Sequence, residues 1–145
     1  MKKFELTNEF IANRFGTKLF RIRALVEFGD VEAGELGGYV EKESNLGHDD
    51  NAWVYGNALV CSDEDYAYAH GFGSVNRTTT FFRLKDGGVG VRCGCFYGTL
   101  AQFRDKIRET HGETKKAQEY LMLADLMELR FEEDENEVGN RKYVE

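Results

Sequence analysis

Asn51-Ala52-Trp53-Val54-Tyr55-Gly56 runs directly into Asn57-Ala58-Leu59-Val60-Cys61-Ser62, two six-residue units of like pattern. Ala52 and Ala58 are six apart, as are Val54 and Val60, and stepping back from Ala52 by sixes lands on Leu46 and Val40. A small residue followed two positions later by a branched apolar one, at a six-residue period, predicts a β-helix-like coil in which each hexad is a short strand and a turn. The register lasts for about four hexads, and about three make one coil, so the coil is too short to bury its own faces. It must pack on the rest of the chain or on a second copy, and a homo-oligomer is therefore expected. Two ordinary hairpins with matching spacing are the alternative.

On the N-terminal side, Thr7 followed by NEFIANRF and Gly16 predicts a short helix, with a hydroxyl cap before it and a C′ glycine after it. Phe20, Ile22, Ala24, Val26 and Phe28 then alternate with Arg21, Arg23, Leu25 and Glu27, a period of two that predicts a strand. On the C-terminal side, residues 61–80 break the hexad period and read as a glycine-rich polar loop or distorted coil. Residues 78–84 read as a strand, Asp86-Gly87-Gly88 as a hairpin turn, and Val89, Val91 and Cys93 as the inward face of the returning strand. Thr99 with Gln102 forms a capping-box pattern opening a helix that carries Leu100, Phe103 and Ile107 on one side. A second helix covers about 114–130 with Ala117, Tyr120, Leu121 and Ala124 in a stripe. The expected fold is thus α+β: a short β-helix-like coil and β-sheet, then a β-hairpin and two C-terminal helices. Residues 1–131 form one domain, with 19–62 the strand and coil, 63–98 the loop and hairpin, and 99–131 the helical pair. Residues 132–145 make a flexible acidic tail.

The chain of 145 residues is 41% hydrophobic and 13% aromatic, enough to bury a core. Its formal charge of −7 disfavours direct binding to nucleic acid or anionic lipid, which rests on clustered Lys and Arg meeting phosphates. Three cysteines with no disulfide-like spacing suit a reducing cytoplasm, and no stretch has the length of a membrane span. The first ten residues interrupt any apolar run with Glu5, Asn8 and Glu9, so no secretory leader is expected. Cys93-Gly94-Cys95 is closer spaced than a zinc knuckle, and His48, His70 and His111 are scattered, so neither metal nor other cofactor is expected. No Ser, Cys or acid pair stands out as catalytic.

The segment Gly71-Phe72-Gly73-Ser74-Val75-Asn76-Arg77 joins glycines, which let backbone N–H groups converge, to a hydroxyl and a guanidinium. Such a turn can wrap an anion. Thr78, Thr79 and Thr80 extend the hydroxyl supply, and Arg83 and Arg92 are expected to face each other across the hairpin. Trp53, Tyr66, Tyr68 or Phe72 can stack on a base. The candidate ligand-binding residues are therefore Trp53, Tyr66, Phe72, Gly73, Ser74, Arg77, Thr78, Arg83 and Arg92. A plain glycine turn with Arg77 paired to Asp63 or Asp65 is the structural alternative.

GDVEAGELGGYVEKESNLGHDDNAWVYGNALV, with the later GFGSVNRTTTFFRLKDGGVGVRCGCFYGTLAQFRDKIRETHG, resembles a family of short phage and prophage accessory proteins that carry N-A-x-V-x-G hexads. The resemblance covers about 19–131. It implies a non-enzymatic protein in the bacterial host cytoplasm that counters a defence system by sequestering a small anionic or nucleotide-like ligand. It leaves open a protein–protein inhibitor that presents its acidic surface to a host defence protein such as a CRISPR effector. A small nucleotide- or sugar-modifying enzyme is the third possibility.

Overall fold

The computed structural model describes residues 2–12, 16–61, 63–72, 77–94 and 96–132. They form two four-stranded sheets and a helical pair. The first sheet orders β1 (Phe4–Ala12), β2 (Lys18–Ala24), β3 (Leu36–Val40) and β4 (Leu59–Val60). Its first two pairings are antiparallel and only β3–β4 is parallel. The second sheet is an antiparallel meander of β5 (Tyr66–Phe72), β6 (Arg77–Arg83), β7 (Val89–Cys93) and β8 (Phe96–Thr99). Helices α1 (Leu100–His111) and α2 (Lys115–Arg130) follow.

The hexads do not make a coil. Ala52, Val54, Ala58 and Val60 are all fully buried, so the period does mark residues that must leave water. Burial alone does not stack rungs, however. The parallel ladder is just Tyr39↔Leu59 and Val40↔Val60, and β3 pairs antiparallel to β2 on its other side, so no second rung can lie beside it in the same sense. Residues 51–57 instead run irregularly beneath the sheet, with Trp53 lodged against Phe4 and Phe28 at ring separations of 6.4 and 5.4 Å.

The expected helix at the N-terminus is also a strand. Thr7 caps no helix: its hydroxyl donates across the ladder to the Arg21 carbonyl at 2.8 Å and accepts from the Glu9 N–H at 3.3 Å. Phe4 and Leu6 pair with Ala24 and Ile22, and a register shift between Leu6 and Phe10 lets the pattern mimic helical spacing. Asn13, Arg14 and Phe15 lie outside the described residues. Residues 66–72, read as loop, form the edge strand β5.

Alternation along β6 sets the layers. Phe82 turns to the core of the first sheet with Ile22, Val40, Trp53 and Val60, while Phe81 turns to the helices with Phe103, Ile107 and Tyr120. Neighbouring residues of a strand face opposite ways, so the second sheet is the middle layer of three. The turn at 86–88 and both helices stand where their signals place them. Gly87 has φ of 90°, Gly88 N–H donates to the Asp86 carboxylate, and Thr99 and Gln102 complete a reciprocal capping box. Thr114 caps α2 through the Ala117 N–H.

Candidate functional site: a cleft between the sheets

Between the first sheet and the β5–β7 face of the second lies a cleft of about 170 Å³. The turn after β2 contributes Gly29, Asp30 and Val31, and the irregular segment contributes Asn51 and Trp53. His70, Arg77, Thr78, Thr80, Arg92 and Gly94 come from the meander.

Strand parity explains who is present. His70 pairs with Thr78, and Thr80 with Arg92, so these four share the face that looks at the first sheet. The His70 ring nitrogen and the Thr78 hydroxyl are 2.7 Å apart. Thr80 accepts from the Trp53 backbone N–H at 3.1 Å, which pins the irregular segment to the middle layer. Arg92 lies over the Tyr55 ring at 4.9 Å, pairs with Glu35 and reaches the Asp30 carbonyl at 3.3 Å.

Arg77 is held differently. Its Nε is 3.5 Å from Asp30 Oδ2, close enough for attraction, yet that buried N–H has no hydrogen-bond acceptor among the described residues. The Trp53 indole N–H is likewise buried and unpartnered there. Gly94 makes room for this arginine. It sits at φ of 61°, and a Cβ on it would stand 2.7 Å from the guanidinium carbon.

Of the nine residues expected from sequence, Trp53, Arg77, Thr78 and Arg92 meet in the cleft. Gly73 and Ser74 lie outside the described residues. The other three are elsewhere. Arg83 is an odd-numbered residue of β6, so it points to the helices, where it pairs with buried Asp65 at 3.1 Å and donates to the Phe131 carbonyl. It pairs across the ladder with Val89 rather than Arg92, so the expected facing of the two arginines is corrected. Phe72 should share the face of His70 by parity, but a register shift between the two turns it toward Tyr120. Tyr66 packs on the first core and accepts from the Gly47 N–H at 3.3 Å. Of the alternative partners for Arg77, Asp65 belongs to Arg83 and Arg77 meets Asp30 instead, while the Asp63 side chain lies outside the described residues.

Sequence reasoning left Gly29, Asp30, Val31, Asn51, His70, Thr80 and Gly94 out of its candidate set for the cleft. Asp30 had a signal, since a Gly-Asp turn ending a strand puts a carboxylate at a sheet rim. Asn51 and Gly94 had none, because only the docking of the two sheets brings them together. Among the described residues no group of three or more His, Cys, Asp or Glu side chains is placed to hold a metal. Cys93 is a free thiol, and Cys95 lies outside the described residues. No described helix is long and apolar enough to cross a membrane.

Compared with models of protein families, with curated proteins and with solved structures, the chain matches none of them.

Proposed function

We propose that the chain is a non-enzymatic binding protein that acts by occupancy, holding a small anion in the cleft between its sheets. The observation that carries this reading is the buried Arg77 Nε, a cationic donor with no hydrogen-bond acceptor among the described residues and Asp30 only at 3.5 Å, beside the Thr78 hydroxyl and the His70 ring. A buried donor left unmade costs about 1–3 kcal/mol, so an arriving oxyanion recovers that loss as affinity. Arg92 contributes less, because Glu35 already neutralises it.

Size narrows the ligand. At about 170 Å³ the cleft holds roughly six waters' volume, well under the roughly 300–1,000 Å³ typical of sites that enclose a drug-sized molecule. A phosphate-sized anion fits, as does the phosphate end of a nucleotide whose base lies outside. Sequestration of such a ligand in a bacterial cytoplasm, in the service of a phage, rests on the sequence resemblance alone.

Thermal unfolding with added ligand tests the reading. Inorganic phosphate and adenosine monophosphate should each stabilise the wild-type chain, by about 2.7 kcal/mol at a hundredfold excess over the dissociation constant. Arg77→Ala, at a side chain about a third exposed, should fold normally and lose the effect. Stabilisation by neither compound, or equal stabilisation of Arg77→Ala, refutes it.

A further inference from the structure

A second cleft, of about 150 Å³, lies on the opposite face of the middle layer, where the helices meet β7 and β8. Its floor is apolar and aromatic. Cys93, Phe103, Ile107 and Tyr120 are buried there, and Phe103 meets Tyr120 edge-on at 5.7 Å. Phe96 forms a half-buried wall, turned to this side because it pairs with Cys93 at the end of β8.

The rim has the opposite chemistry. Arg77, Lys106, Thr110 and His111 line it, and among the described residues no acidic one does. In a protein of net charge −7 that is a local inversion of sign. Asp105 and Glu109 border Lys106 in a neighbouring depression, but Lys106 makes no ion pair with another described residue. Arg77 is the wall the two clefts share.

We propose that this helix–sheet cleft is a binding site for a small free carboxylic acid with a flat or short apolar body. The body lies on Phe96, Phe103 and Tyr120, and the carboxylate sits between Lys106 and Arg77. Each half of the site selects against the other class of ligand. An inorganic anion leaves the aromatic floor uncovered, and a neutral hydrocarbon leaves the Lys106 ammonium unanswered. About 150 Å³ is roughly five waters' volume, which limits the body to about one ring or a short chain.

This site goes beyond the inter-sheet reading and does not depend on it, so the experiment separates the two. Purified full-length chain is titrated calorimetrically with benzoate, benzyl alcohol and inorganic phosphate. Benzoate should bind one per chain, about tenfold more tightly than benzyl alcohol. Lys106→Glu, an exposed helix position that leaves the core intact, should weaken benzoate about tenfold or more without altering phosphate binding. Thr78→Val, in the other cleft, should leave benzoate unchanged. Equal affinity for the alcohol, benzoate binding that survives Lys106→Glu, or no saturable benzoate binding overturns the proposal, whatever phosphate does.

Discussion

Lys3 is a buried cation, 2% exposed. Its ammonium is buried, bonded to Asp50 Oδ1 at 3.1 Å, to the Asp50 carbonyl at 3.2 Å and to the Ala52 carbonyl at 2.7 Å, with the Phe28 ring 4.9 Å away. It thereby staples β1 to the start of the irregular segment. Burial pulls its pKa below the usual 10.5, against the opposing pull of Asp50 and Asp49. Between the lowered value and 10.5 the unfolded chain holds a proton that the folded chain has shed, so the Lys3 contribution makes stability rise with pH there. Below the lowered value both states are protonated and the contribution is flat. Urea unfolding of wild type and Lys3→Met should therefore differ in slope as pH rises toward 10.5, with the wild type gaining relative to the variant. At pH 7 the substitution should cost about 1–3 kcal/mol, because it strands Asp50 and two carbonyls.

At the scale of elements, one buried ion pair ties three pieces of chain together. Arg83 of β6 bonds Asp65, the last residue of a short 3₁₀ turn (Asp63–Asp65), and also donates to the Phe131 carbonyl just past α2. Asp65 in turn accepts from the Cys61 N–H at 2.9 Å. Both side chains are almost fully buried, at 5% and 1% exposure, so neither can turn to water if its partner goes. Asp65→Ala should cost about 3–5 kcal/mol, while Asp65→Leu with Arg83→Met should cost clearly less than the two singles summed. A double-mutant cycle by chemical denaturation measures the difference. The same pair removes Asp65 from any acidic docking surface, since a carboxylate this buried cannot meet a partner protein.

The whole molecule is held together across its layers. Phe82 of the second sheet belongs to the core of the first, Leu84 just past β6 packs against it, Trp53 N–H bonds Thr80, and Arg92 pairs with Glu35. Trp53 is the chain's single tryptophan and is 1% exposed at that junction. Its fluorescence should be blue-shifted when folded and should report the parting of the sheets. Because the helices pack on the far face of the same middle layer, their loss by circular dichroism at 222 nm should coincide with the fluorescence change on heating. Separate transitions would mean that the first sheet and the helices come away in separate steps.

How much of this was legible depended on how local the deciding physics was. The hairpin of β6 and β7 and both helices follow from Asp86-Gly87-Gly88, from Thr99 with Gln102 and from Thr114, each acting within a few residues, so the sequence alone determined them. It also marked Ala52, Val54, Ala58 and Val60 for burial, and Trp53, Arg77, Thr78 and Arg92 for a common site. What it could not determine was what lies beside those residues. The hexad period is compatible with any arrangement that buries the same side chains, and only antiparallel β2 at the flank of β3 rules out a coil. The segment around Thr7 could satisfy its backbone as helix or strand, and the Arg21 carbonyl decided for the strand. Which face each arginine takes rests on strand parity and on one register shift at His70–Phe72, and both are set by pairing with residues distant in the chain. Tertiary structure alone therefore separated Arg83 from Arg92, brought Asp30 to Arg77 and opened a cleft on each side of the middle sheet.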